Sequence, residues 1–241
     1  MARISLQDVT VEYPIYNAGA FSLRSNLLAI GTGGRISSEA RRVRTVTALD
    51  RVTLELGDGD RLGLVGHNGS GKSTLLRTMA GIYTPTRGRI EIEGRVSTVF
   101  GLGAGLQPEL TGYDNIVRMA MMLGATRGQA EASIPEIEAF TELGDFLKVP
   151  VHTYSAGMRT RLTFAVATAA QPEILLVDEV FGAGDADFQG KAKMRMAEFV
   201  EKSSILVLAS HSGELIEKLC DTVICLSHGA IVASREAAVI R

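Results

Sequence analysis

The stretch Arg61–Gly81, RLGLVGHNGSGKSTLLRTMAG, decides the fold. It opens with a short apolar run, passes through a glycine-rich turn and enters LLRTMAG, whose apolar positions recur at helical spacing. The turn Gly66-His67-Asn68-Gly69-Ser70-Gly71-Lys72-Ser73-Thr74 matches GxxxxGK[ST] in full. A strand before it and a helix after it are the context that a phosphate loop requires. Glycines let consecutive backbone N–H groups curl round phosphates, and the helix amino terminus adds its dipole and unpaired donors. Lys72 is placed to reach the β and γ phosphates, Ser73 to ligate magnesium through its hydroxyl, and Thr74 to bond a phosphate oxygen. ATP and Mg2+ are the expected ligands.

A partner for this loop stands further along the chain, where the apolar run Ile174–Val177 ends in Asp178 and Glu179. Two acids after an apolar run often do no more than cap the next helix. Beside a phosphate loop they read differently: Asp178 holds the magnesium shell, and Glu179 orients a water for in-line attack on the γ phosphate. His211 follows another apolar run, ILVLAS, and precedes a helical stretch, which puts it at the carboxyl edge of the sheet where ligands collect. Its imidazole can contact the γ phosphate or the attacking water; a surface histidine capping the next helix fits the same pattern. His67 counts only as part of the loop, and the rings of His67, His152 and His228 are assigned no chemistry.

Working outward, Ile174–Val177 and Ile205–Leu208 are continuous apolar runs short enough for strands covered on both faces. Arg3–Val11, Thr47–Leu56 and Arg89–Ile92 instead alternate polar and apolar, which predicts an antiparallel sheet near the amino end. From Thr111 to Leu147 apolar positions recur only at helical spacing, so a helical subdomain, 111–158, is expected inside the α/β core. The fold class is therefore α/β: a P-loop NTPase, RecA-like core with an antiparallel β subdomain and an inserted α-helical subdomain, one domain over 1–241. Residues 14–46 read as an insertion after the first strand. It is glycine-rich at GTGG, then basic through Arg35, Arg41, Arg42 and Arg44, with FSLRSNLLAI as a short amphipathic helix. A solvated surface loop and a contact surface both fit it.

Composition excludes other classes. Although 46% of the 241 residues are hydrophobic, every apolar run breaks well short of the roughly 18 to 20 residues a membrane span needs. A net charge of -2 leaves no electrostatic footprint for nucleic acid. Cys220 and Cys225 lack metal or redox spacing, and MARISLQDV carries no secretory signal, so the cytoplasm or its membrane face is expected.

Together these elements resemble the nucleotide-binding subunit of ABC transporters over essentially the whole chain. That family carries an LSGGQ-type signature at a helix start before the acidic strand, where this chain has Tyr154-Ser155-Ala156-Gly157-Met158. The resemblance implies a head-to-tail homodimer in which Ser155, Ala156 and Gly157 close on the nucleotide of the other subunit. A hydroxyl and unhindered N–H groups at a helix amino terminus suit that role; on its residues alone the stretch is simply a capped helix start. By the same resemblance Asp185 lies across the dimer interface, His211 is the switch histidine, and Tyr13 stacks on adenine, although a core tyrosine fits as well. The family's magnesium-contacting glutamine has no counterpart in register: Leu102 stands at its position, with Gln107 nearby.

The YS-small-GM signature, the LGAG segment, DEVFGAGDADF and the long insertion narrow the resemblance to exporters of lipid-linked polysaccharide, the O-antigen, capsule and teichoic-acid ATPases of Wzt and TagH type. The chain resembles their short form, without a carbohydrate-binding domain. It implies two ATPase subunits on the cytoplasmic face of the inner membrane, bound to two copies of a separate integral-membrane permease that handles the glycan. A cell-wall galactan is as open as an O-antigen. A soluble ABC-type ATPase acting on nucleic acid or ribosomes is the alternative of a different class. Such proteins often carry paired cassettes or basic arms, and this chain has neither.

Overall fold

The computed structural model describes residues 1–15, 44–99, 105–170, 172–178 and 186–236. The alternating amino-terminal segment forms β1 (Arg3–Ile15), paired antiparallel with β2 (Arg44–Gly57). These arms run further than alternation alone suggests: Pro14 faces Thr45 and Ile15 faces Arg44. The FSLRSNLLAI segment between them lies outside the described residues. From β2 the chain enters β3 (Arg61–Val65), α1 (Lys72–Met79) and β4 (Arg87–Glu93), and β4 returns to pair with β1 as the third strand of the sheet.

The second sheet adds β5 (Val96–Thr98), β6 (Ile174–Asp178), β7 (Ile205–Ala209), β8 (Thr222–Ser227) and β9 (Ala230–Glu236). Its order is β5-β6-β7-β3-β8-β9, parallel except for the edge strand β9. The parallel strands read as unbroken apolar runs because both faces are covered. On β6, Ile174 and Leu176 point into the core shared with α1 and the antiparallel sheet. Leu175 and Val177 point the other way, toward Phe164 and the helix α6 described below. This is the period-2 alternation of a strand used twice.

Between β5 and β6 lie α2 (Gly112–Met122), α3 (Arg127–Ala132), α4 (Ile134–Thr141), the 3-10 turns Gly144–Lys148 and Val151–Thr153, and α5 (Ala156–Ala169). Local chemistry starts these helices: Thr111 accepts from the Asp114 N–H, Thr126 and Gln129 form a reciprocal capping box, and Ser155 caps α5. Their core is separate, built on Ile116, Ile137, Leu147, Leu162 and Val166. After β6 come α6 (Ala186–Glu201) and, beyond β7, α7 (Gly213–Leu219). Helix α6 ties the two parts together. Arg195 pairs with Glu136 at 2.7 Å, donates to the Thr168 hydroxyl at 2.9 Å and lies 4.6 Å from the Phe140 ring centroid, while Lys191 bonds Glu142.

Candidate functional site

Strand order builds the site. Ala209 of β7 faces Leu64 of β3 on one side and Asp178 of β6 on the other, so the carboxyl ends of three parallel strands finish level. The loop after β3, the acid ending β6 and the residues after β7 thus open onto one edge, the place where ligands bind in such sheets. A cavity of about 430 Å³ lies there, lined among others by Tyr13, Ala48, residues 68–74, Asp178 and His211.

The loop after Val65 turns through Gly69 (φ 81°) and Gly71 (φ 111°), conformations that residues with a Cβ rarely adopt. At Gly71 a Cβ would also stand 2.8 Å from the Ala48 carbonyl. Gly71 begins α1 without any side-chain cap, and no acid occupies the helix's first turn, so its dipole is not offset by an acid of its own. Lys72 is buried and its ammonium donates to the carbonyls of Gly66 at 2.7 Å and His67 at 3.2 Å. The Ser70 hydroxyl is buried and, among the described residues, has no hydrogen-bond partner. From behind, the turn between β8 and β9 braces the loop: the Gly229 N–H donates to the Ser70 carbonyl at 2.9 Å, and the Gly229 carbonyl accepts from Asp50.

Hard oxygen donors, the Ser73 hydroxyl and the Asp178 carboxylate, line the same cavity and fit a magnesium ion by their chemistry. His211 is placed with the loop, its Nε2 3.0 Å from Asn68 Oδ1. Tyr13 lines the cavity beyond Thr74, to whose hydroxyl its own donates at 3.5 Å, and its ring meets Tyr83 edge-on with centroids 5.5 Å apart. Partial burial pushes the Tyr13 phenol above its ordinary pKa, so it remains neutral at physiological pH.

The segment Ser155-Ala156-Gly157 is elsewhere. Ser155 and Ala156 are exposed at the start of α5, and none of the three lines this cavity. A Cβ on Gly157 would meet nothing closer than the Ser155 hydroxyl at 3.8 Å. Packing inside the chain therefore gives no reason for glycine in a helix, where it costs roughly 0.5–1 kcal/mol relative to alanine. Glu179, Asp185 and Leu102 lie outside the described residues.

Sequence reasoning passed over Tyr83, Asn115 and Gly229. The Ser227-His228-Gly229 turn was a findable signal, because a glycine between two strand patterns marks a hairpin. Asn115 had no such signal. It is fully buried, and only tertiary packing reveals that its side chain holds the loop before α2.

Residues 49–182 match the family model described as ABC transporter. The chain belongs to the ABC transporter family of ATP-binding proteins. Within it, the O-antigen export system ATP-binding protein RfbE of Yersinia enterocolitica is 57% identical over 231 residues, covering 96% of this chain and 97% of that one. The teichoic acids export ATP-binding protein TagH of Levilactobacillus brevis is 38% identical, covering 95% of this chain and 61% of its own length. Among solved structures, a dimeric ATP-binding cassette in a post-hydrolysis state with ADP and phosphate aligns with a TM-score of 0.68 at 21% identity, covering 97% of this chain and 98% of that one. That likeness is one of fold. Among the described residues no helix is long and apolar enough to cross a membrane.

Proposed function

We propose that this chain is the ATP-hydrolysing subunit of an exporter of lipid-linked polysaccharide, an O-antigen-like glycan or cell-wall galactan, and that it works as a homodimer on two copies of a membrane permease. The observation that carries the export reading is the near-full-length match to an O-antigen export ATP-binding protein. The dimer is supported by Gly157: a helix start that is exposed, lacks any packing need for glycine and stands outside the chain's own cavity suits contact with a second copy's nucleotide. The subunit then sits on the cytoplasmic face of the membrane, held there by the permease.

In this reading the N–H groups of Gly66 to Thr74 cradle the phosphates, and Lys72 exchanges its loop carbonyls for the β and γ oxygens. Ser73 and Asp178 hold Mg2+, which when bound neutralises charge on the phosphates. Glu179 orients the attacking water and accepts its proton. His211, steered by Asn68, faces the γ phosphate. Tyr13 offers its ring to adenine, Ser155, Ala156 and Gly157 close on the partner's γ phosphate, and Asp185 lies across the interface. ATP favours the closed dimer and hydrolysis reopens it, which passes a two-state motion to the permease.

Depletion of the chain tests this: lipid-linked glycan should accumulate on the cytoplasmic leaflet, rescued by the wild type and not by Glu179→Gln. Normal surface glycan after depletion would refute the export reading.

A further inference from the structure

The signature Ser155 is exposed, but the residue before it is not. Tyr154 is 3% exposed, and its hydroxyl donates to the Phe146 carbonyl at 2.6 Å, an oxygen that also accepts from the Val149 N–H. A buried phenol that finds a partner is strongly oriented, because its hydroxyl would otherwise be stripped of water for nothing. Burial raises the phenol's pKa and keeps it a donor. Gly112, the first residue of α2, leaves the space the hydroxyl needs: a Cβ there would collide with the Tyr154 hydroxyl and stand 2.9 Å from Leu147 Cα.

A second set of bonds joins this point to the loop before α2. Asn115, fully buried, accepts from the Gln107 N–H at 2.8 Å and donates to the carbonyls of Gln107, Leu110 and Thr111. The same loop accepts from the segment leading into the signature: Val151 N–H to the Leu110 carbonyl at 3.0 Å, and His152 N–H to the Pro108 carbonyl at 2.9 Å. Residues 107–111 and 150–155 are therefore one bonded block, with Tyr154 as its anchor beside Ser155.

We propose that Tyr154 is a positioning residue for ATP hydrolysis: through the Phe146 carbonyl it sets the angle at which α5 presents Ser155 to the partner's nucleotide, and Asn115 locks residues 107–111 to that same block. The inference rests on the assignment of Ser155 to the partner's phosphate. Tyr154 touches no nucleotide and acts only through its neighbour.

The test uses the full-length chain as Tyr154→Phe, Ser155→Ala and the double variant, measuring MgATP hydrolysis, MgADP affinity, thermal midpoint and ATP-driven dimerisation in a Glu179→Gln background. Tyr154→Phe keeps the ring and should lower kcat about tenfold, the scale of one lost hydrogen bond. MgADP affinity should stay unchanged and dimerisation should weaken. In the Ser155→Ala background Tyr154→Phe should cost nothing further, since residues acting through one contact are not additive. A purely structural tyrosine would lower the two backgrounds equally, and that additivity would overturn the proposal, as would wild-type kcat in Tyr154→Phe. Wild-type hydrolysis by Ser155→Ala would instead remove the signature assignment and the positioning role with it. Should Tyr154→Phe fail to fold, Gly112→Ala, which displaces the same hydroxyl from the other side, should show the same loss of kcat with MgADP affinity intact; unimpaired kcat there overturns the proposal.

Discussion

His211 Nε2 lies 3.0 Å from Asn68 Oδ1, joining the loop after β7 to the phosphate loop after β3 across 143 residues of sequence. With the amide oxygen as acceptor, Nε2 carries the proton, so the imidazole is held as a donor at the cavity wall. Substituting Asn68 with Leu removes this acceptor. The expected result is roughly a tenfold drop in kcat, the scale of one hydrogen bond, with His211→Ala lower still. Steady-state kinetics decide it; equal, wild-type turnover in both variants would remove His211 from the reaction.

Lys72 is held by two loop carbonyls, so among the described residues its charge has no carboxylate partner to release before meeting phosphate. Lys72→Ala should weaken MgATP binding at least tenfold and abolish hydrolysis, measured by equilibrium titration. Glu179→Gln should do the opposite: nucleotide affinity stays, while turnover falls by about a hundredfold or more, the scale of a lost general base. Persistent hydrolysis by Glu179→Gln would disqualify it as that base.

Gly157→Ala separates the folded monomer from the working dimer. Alanine fits the space inside the chain and removes glycine's conformational penalty, so thermal stability should hold or rise by up to ~1 kcal/mol. ATP-driven dimerisation, followed by size-exclusion chromatography in the Glu179→Gln background, should be lost. A destabilised monomer, or an undisturbed dimer, contradicts the reading of this helix start.

Cys220 ends α7 buried against the sheet, and desolvation pushes its thiol up to about 12 from an ordinary value near 9. The folded state therefore keeps the proton that the unfolded state releases above pH 9, which means stability is intact below that pH and falls between about 9 and 12. Cys220→Ala should flatten this alkaline decline of the thermal midpoint. At pH 8 an alkylating reagent should label half-exposed Cys225 and leave native Cys220 untouched; rapid labelling of Cys220 would refute its burial.

Legibility followed the range of the interactions. The strand–loop–helix of Arg61–Gly81 could be read directly, because each of its requirements, an apolar run, glycine at positive φ and helical spacing, is local. The same is true of Ser155 as a cap and of the apolar runs that became β6 and β7. The extent of the β1–β2 pairing was less legible, since Pro14, Ile15, Arg44 and Thr45 are held by each other across a long insertion and not by their neighbours.

From the sequence alone came the glycine-rich turn between β3 and α1, the apolar strand that Asp178 ends and the run of helices between β5 and β6, because hydrophobic period and glycine placement act over a few residues. Tertiary structure alone decided that β7 lies between β3 and β6, which sets His211 against Asn68 and levels Asp178 with the loop. It alone decided too that Asn115 and Tyr154 bind the segments before α2 and α5 into one block. Strand order and buried polar pairing depend on residues far apart in the chain meeting in a water-free interior, where an unpaired donor or acceptor costs about 1–3 kcal/mol, and no local pattern records which partner satisfies it.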